Sequence, residues 1–245
     1  MTKKAVVTGA SSGIGAATAR ALAKDGYLVI CAARRLDRID ALAKEIDGIA
    51  VQCDITDDAS VASLAEVVGN ELDVLINNAG GAVGVEYLAD ADLSDWATMF
   101  ETNVLGTARV TQALLPALLT SSGTALFVTS TAAEAPYEGG AGYCGAKSAE
   151  RSMVGALRLE LSGTQVRVLE VSPGMVKTPE FSLVRLRGDE SKADAVYEGV
   201  PNPLVAEDIA ETIAWMVSRP AHVNIDRLVI RPVAQAANHK VFRVK

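Results

Sequence analysis

The chain has 245 residues, 49% of them hydrophobic, which is too apolar for disorder and ample for a core; the length fits one large α/β domain or two small ones. A net charge of −7 argues against a nucleic-acid partner, and no apolar run is long enough to span a bilayer. Cys31, Cys53 and Cys144 lack metal-ligand spacing, and with only His222 and His239 beside them no metal site is expected. Cys31 and Cys53 read as small core hydrophobes, and Cys144 should face away from the neighbouring Tyr143. Residues 1–4 run straight into the strand-like Ala5-Val6-Val7, which leaves no room for a signal peptide and makes the cytosol (a cytoplasmic protein) the expectation.

Short apolar runs alternate with longer amphipathic ones, the pattern of a parallel sheet covered by helices on both faces. The first strand, 5–8, leads through Thr8-Gly9-Ala10-Ser11-Ser12-Gly13-Ile14-Gly15 into a helix over 14–25. Gly9, Gly13 and Gly15 allow a tight turn, close backbone approach to a pyrophosphate and packing of helix on strand. The helix N-terminus then points its amides and positive dipole end at the phosphates. Together these features predict a doubly wound, seven-stranded Rossmann fold, with 1–245 as a single domain.

The second strand, 28–32, ends at Ala32-Ala33-Arg34-Arg35. A carboxylate there would bind the ribose hydroxyls of NAD, whereas two guanidinium groups suit a 2′-phosphate and point to NADP(H). The bland alternative is a pair of solvated arginines at a helix start. A helix over 38–45 and a strand over 49–53 follow; Asp54, with Ile55 beside it, either accepts from the adenine amino group or caps a turn. After a helix over 60–68 and a strand over 74–76 comes Asn77-Asn78-Ala79-Gly80, a narrow backbone along the middle of the cofactor.

The helical stretch 94–119 contains Pro116, which is expected to kink or end it. A strand over 124–129 runs into Ser130, and a helix over 143–161 carries Tyr143 and Lys147 four residues apart on one face. A phenol exchanges protons poorly at neutral pH; a neighbouring ammonium favours the phenolate, and a serine hydroxyl can orient a carbonyl or alcohol against it. Such a site moves a proton while a cofactor moves a hydride. Strands over 166–171 and 228–230 and a helix over 206–218 complete the alternation. Between them, 178–203 is punctuated by Pro179, Gly188, Pro201 and Pro203 and is expected to be a structureless substrate lid. The basic tail, 239–245, reads as a surface or subunit contact.

With these residues assembled, the chain resembles the short-chain dehydrogenase/reductase family over its whole length. The likeness is carried by the glycine segment 8–15, by Asn77-Asn78-Ala79-Gly80, by Asn103-Val104-Leu105-Gly106, by the Ser130/Tyr143/Lys147 spacing and by Pro173-Gly174. The resemblance implies that Tyr143 is the general acid or base, Lys147 promotes its ionisation and bonds the nicotinamide ribose, Ser130 positions the substrate oxygen, and Asn103 holds a water linking Lys147 to solvent. It also implies that Gly9, Ser11, Ser12, Gly13, Ile14, Gly15, Arg34, Arg35, Asp54, Ile55, Asn78, Ala79, Gly80, Pro173, Gly174, Val176 and Thr178 surround NADP(H). Val176 is expected to offer its backbone to the carboxamide. A homo-oligomer, a tetramer or a dimer, is expected on the helices carrying Asn103 and Tyr143.

A narrower resemblance, in Thr178-Pro179-Glu180-Phe181-Ser182, Pro220-Ala221-His222-Val223-Asn224-Ile225 and Arg231-Pro232-Val233, is to the NADP-dependent serine/3-hydroxy-acid dehydrogenase branch. It makes Arg185 a candidate partner for a substrate carboxylate; the bland alternative is a solvated arginine or one paired with Asp189 or Glu190. Glu134, near the expected substrate mouth, departs from that pattern and would disfavour an anionic substrate. The expected activity is NADP(H)-dependent interconversion of a small alcohol and its ketone or aldehyde, best a 3-hydroxy acid such as serine. The alternatives are an NADPH-dependent reductase of small aldehydes or ketones and a non-catalytic NADP sensor. The presence of both Tyr143 and Lys147 speaks against the sensor.

Overall fold

The computed structural model describes residues 2–244. Its centre is a parallel sheet of seven strands: β1 (Lys4–Thr8), β2 (Leu28–Ala33), β3 (Ile49–Gln52), β4 (Val74–Asn77), β5 (Thr124–Val128), β6 (Arg167–Pro173) and a last strand at Leu228–Ile230. The spatial order is β3-β2-β1-β4-β5-β6 followed by the last strand, so the chain first steps outward from β1 and then reverses at β4. Each expected strand is present, with ends moved by no more than two residues.

Alternation along the strands divides the apolar residues between two cores. Val7, Ile76 and Leu126 point to one face, where they meet Leu22 of α1 (Gly13–Lys24), Ile39 of α2 (Leu36–Glu45) and Ile213 of the late helix Ala206–Val217. Val6, Leu75 and Phe127 point to the other, against Leu64 of α3 (Asp58–Val68) and Leu114 of the helix Thr107–Ser121. Strands buried on both faces read as continuous apolar runs, which is why they were legible.

Three expectations need correction. The helical stretch 94–119 is two helices, α4 (Leu93–Phe100) and α5 (Thr107–Ser121), joined by a π-helical turn at Glu101–Gly106. Pro116 does not end α5, which continues to Ser121 with Leu114, Ala117 and Leu118 buried. Proline removes one helical donor, and packing of that face outweighs the loss; the break falls at Asn103 instead.

The segment 178–203 is not structureless. It holds α7 (Phe181–Arg185) and α8 (Glu190–Ala195), and it is bracketed by the parallel pairing of β7 (Val176–Lys177) with β8 (Leu204–Val205). Asp189 caps α8 by accepting from the Lys192 amide, and Gly188, at φ +84°, makes the turn before it.

The tail forms a small hairpin, β10 (Gln235–Ala237) with β11 (Lys240–Val241), once the last sheet strand is counted as β9. It folds back onto the ligand end of the sheet: the Val244 amide bonds the Gly199 carbonyl and Arg243 donates to the Val196 and Glu198 carbonyls. Among the described residues no helix is long and apolar enough to cross a membrane. Phe127 is the largest fully buried side chain, so Phe127→Ala is expected to cost about 3–5 kcal/mol in urea unfolding; a loss below about 1 kcal/mol would contradict the packing.

Candidate active site

The strand order reverses between β1 and β4, and a crevice opens beyond their carboxyl ends. The Thr8 hydroxyl ties the two strand ends together: it donates to the Ile76 carbonyl at 3.2 Å and accepts from the Asn78 and Ala79 amides, each at 3.0 Å. Asn78 Nδ2 donates to the Thr8 carbonyl at 2.9 Å. Gly9, at φ +67°, sits so close that a Cβ there would lie 2.8 Å from Asn78 Nδ2. A Cβ on Gly15 would meet the Gly9 carbonyl oxygen at 2.3 Å, so the glycine turn presses onto its own helix. Ser12, the N-cap of α1, does not cap the helix with its side chain, which leaves the first-turn amides facing the cleft for an anion.

The cleft encloses about 840 Å³. Every expected site residue lines it except Asn103: from Gly9, Ser11, Ser12, Gly13, Ile14 and Gly15, past Arg34, Arg35, Asp54, Ile55, Asn78, Ala79 and Gly80, to Ser130, Tyr143, Lys147, Pro173, Gly174, Val176, Thr178 and Arg185. The volume and the glycine cradle fit a dinucleotide.

The two arginines after β2 have different surroundings. Arg34 is exposed at the cleft edge. Arg35 makes a bidentate pair with Glu180, at 2.6 and 2.7 Å, and also donates to Ser11 Oγ at 2.8 Å and Ser12 Oγ at 3.2 Å. Arg38 joins the same carboxylate, and Ser12 donates to it at 2.6 Å. Glu180 therefore clasps the base of the 178–203 segment to the glycine turn across the cleft. Sequence reasoning missed it, because a carboxylate after Pro179 carries no local signal of a partner 145 residues away. Asp54 takes the turn-capping role, accepting from the Thr56 amide at 3.0 Å and its hydroxyl at 2.8 Å, while still facing the cleft.

At the other end, α6 (Ala141–Glu160) carries Tyr143 and Lys147, both buried. Ser130 accepts from the Ala132 amide at 3.1 Å, which leaves its own O–H to donate into the cleft. Asn103 is fully buried behind Gly80 and Gly81; its amide group accepts from the Gly81 amide at 3.1 Å and donates to the Gly81 and Met99 carbonyls. A Cβ on Gly80 would lie 2.5 Å from Asn103 Oδ1 and 3.5 Å from Lys147 Nζ, so only glycine fits between them. The Asn103 side chain thus ties the Gly81 backbone to that of Met99.

The chain matches the family model described as short chain dehydrogenase over residues 3–186. The chain belongs to the short-chain dehydrogenase family. It is 56% identical over 234 residues to an uncharacterized oxidoreductase of Mycobacterium tuberculosis, covering 95% of this chain and 92% of the relative. It is 44% identical over 246 residues to serine 3-dehydrogenase of Agrobacterium fabrum, covering 97% of each. Among solved structures, the closed form of serine dehydrogenase complexed with NADP+ superposes with a TM-score of 0.92 at 35% identity, covering 99% of this chain and 100% of that one. The chain is thus an oxidoreductase of the short-chain dehydrogenase type.

In this short-chain dehydrogenase the substrate end holds features the sequence did not announce. The Tyr143 ring meets Phe181 edge-on at 5.8 Å, and the Arg185 guanidinium lies 5.8 Å from the Tyr143 ring centre and 5.3 Å from that of Tyr137. Arg185 also donates to the Tyr137 hydroxyl at 2.8 Å and to the Gly84 carbonyl at 3.2 Å, and no carboxylate pairs with it among the described residues. Asp189 bonds Lys192 instead, and Arg187 takes Glu86 and Asp95. Burial pushes the Tyr137 phenol up to about 12 despite the opposing charge of Arg185, so Tyr137 stays protonated.

Glu134 does not line the cleft; it faces Arg231 at 3.5 Å and Arg227 at 3.8 Å, which offsets the charge expected to repel an anion. Val176 gives its carbonyl to the Tyr197 hydroxyl at 3.0 Å, an intrachain use of the backbone expected to meet the carboxamide. Burial raises the Cys144 thiol, as it does that of Cys31, which is pushed to about 12; all three cysteines are buried. No cluster of three or more metal-ligating side chains occurs among the described residues.

The bond from Arg35, with smaller help from Ser12 and Arg38, lowers the Glu180 carboxyl to about 2 from its ordinary 4.5. A carboxyl depressed on folding stabilises above its unfolded value and loses that contribution as pH falls toward its folded one. Glu180→Gln is therefore expected to lower Tm at pH 7, with the gap to the unmodified protein narrowing between about pH 4.5 and 2. A gap independent of pH would show that the clasp is not ionic.

Proposed function

We propose that this chain is an NADP(H)-dependent dehydrogenase that interconverts a small 3-hydroxy acid, serine being the best candidate, with the corresponding 3-oxo acid. The observation that carries the reading is Arg185: a guanidinium stacked over the Tyr143 ring, lining the cleft, with no intrachain carboxylate among the described residues. A planar guanidinium beside the reacting hydroxyl matches a carboxylate in bidentate fashion. The cofactor is NADP(H). Support comes from alanine at position 33 with Arg34 beside it, from the serine groups of the glycine turn, and from the family relative solved with NADP+.

NADP+, held by the glycine turn and the Asn78-Ala79-Gly80 backbone, would supply the hydride acceptor. The chain supplies the rest. Arg185 draws the carboxylate to the mouth of the cleft and sets which end of the substrate enters. Ser130 donates its O–H to the substrate oxygen, and Tyr143 takes the proton as the carbonyl forms, or returns it in reduction. The Lys147 ammonium, buried one helical turn from Tyr143, favours the phenolate and offers an N–H to the nicotinamide ribose. Segment 178–203 acts as the lid: Phe181 and Arg185 bring it onto Tyr143, and water is kept from the reacting atoms. We also propose self-association through the helices flanking Asn103 and Tyr143, which leave Leu93, Leu105, Leu119 and Leu159 exposed.

Tyr143→Phe keeps the ring and removes the transferable proton, so kcat is expected to fall by about 10² or more while NADPH binding, followed by fluorescence, stays near its original value. Near-normal turnover would remove Tyr143 from the chemistry. Arg185→Met is expected to raise KM for 3-hydroxy acids tenfold or more, about 1.4 kcal/mol, and to leave uncharged aldehydes nearly unaffected. Equal losses on both substrate types would make Arg185 a lid support that reads no carboxylate.

A further inference from the structure

An ammonium has three N–H donors. Lys147 spends two of them inside the protein, on Glu150 Oε2 at 2.7 Å and on the Val128 carbonyl at 3.1 Å. One remains for the cleft that Lys147 lines. The pair is almost wholly withdrawn from solvent, with side-chain exposures of 5% for Lys147 and 1% for Glu150. Burial works to discharge both partners and pushes the Glu150 carboxyl up against the opposing charge of Lys147; Lys147 still stands above its ordinary value, because the charge and hydrogen bond of Glu150, aided by Tyr143 and Glu170, outweigh its own burial.

Among the described residues Glu150 is the one carboxylate in ion-pair contact with Lys147. Glu170 of β6 is itself buried and engaged by the Thr129 hydroxyl at 2.7 Å, with Arg151 and Arg158 of α6 and Glu134 acting on it. Asn103, behind Gly80, is uncharged. Tyr143 shares the helix with the pair, one turn before Lys147.

We propose that Glu150 is a positioning residue of the reaction: it keeps the Lys147 ammonium charged and fixed beside Tyr143, with one N–H left for the cofactor side of the cleft. Glu150 touches neither substrate nor cofactor and acts through Lys147. The proposal rests on Tyr143 being the proton-transfer group, and its test separates the two ideas.

Two measurements on Glu150→Gln and Glu150→Asp decide it. The first is the pH dependence of kcat/KM for alcohol oxidation, run with saturating NADP+, which also supports a weakened fold. The second is phenolate absorbance of cofactor-free protein, taken as the difference between each variant and its Tyr143→Phe counterpart. Glu150→Gln is expected to move both the kinetic limb and the Tyr143 absorbance step upward by about one pH unit or more, a tenfold change in ionisation constant. Glu150→Asp keeps the charge on a shorter arm and is expected to shift them less, in the same direction.

If Glu150→Gln does not fold, Glu150→Asp carries the test. An upward limb supports the proposal, and a limb at its original pH overturns it. A lowered Tm with both pH readouts unmoved would make Glu150 a structural residue only. A kinetic limb in the unmodified protein that does not coincide with any Tyr143 ionisation, with Tyr143→Phe still active, would instead defeat the functional reading on which the proposal stands.

Discussion

One hydroxyl, that of Thr8, takes three backbone bonds at the point where the sheet reverses direction, from strands whose own ladder has just ended. Everything in the cleft is set from that point. The glycine turn leaves β1 there, pressed against Asn78; the backbone that runs on through Gly80 reaches Asn103 and stands over Lys147. A dinucleotide needs close backbone approach at one end and a rigid wall along its middle, and the Thr8 knot supplies both from two strands that are neighbours only because of the reversal. Sheet topology thereby becomes site geometry.

Two acid–base clusters of opposite character sit along this cleft. Glu180, Arg35, Arg38 and Ser12 form a partly exposed clasp at the cofactor end, where two guanidinium groups share one carboxylate and water can still reach them. Lys147 and Glu150 form a pair sealed from water at the chemical end. A buried ion pair is poor value as a source of stability, since desolvation takes back most of the Coulombic gain. Its presence one helical turn from Tyr143, the proposed proton-transfer group, is better understood as a means of fixing charge. The two clusters fit a division of labour in which the outer one holds the 178–203 segment across the cofactor cleft and the inner one maintains the electrostatics of proton transfer.

The strands, the glycine turn and the Tyr143/Lys147 pair were legible because their signals are local: apolar runs buried on both faces, a tight turn that needs glycine, and a four-residue helical spacing. The π turn at Asn103 was not, because nothing in Glu101-Thr102-Asn103-Val104-Leu105-Gly106 distinguishes an inserted residue from continuous helix, and Pro116 drew the expected break to the wrong place. The helices of segment 178–203 are too short to show periodicity, and what holds them is distant: Tyr197 reaching Ser182 and Val176, and the tail hairpin tied to Gly199. Tyr137, Glu150 and Glu180 acquire their roles only from partners brought in by the fold. The pairing of Glu134 with Arg227 and Arg231 belongs to the same class, and it reverses the electrostatic objection that Glu134 raised from sequence.

As proposed, the cleft oxidises a small carboxylate-bearing alcohol with NADP+. The most direct test is to follow the absorbance of reduced nicotinamide while the purified protein meets a series of 3-hydroxy acids, serine among them, and their amide or ester analogues, each with NADP+ and with NAD+. At least one free 3-hydroxy acid should turn over, far better with NADP+ than with NAD+, with a steep loss when its carboxylate is masked. Preference for NAD+, or equal rates on masked and free acids, would contradict it.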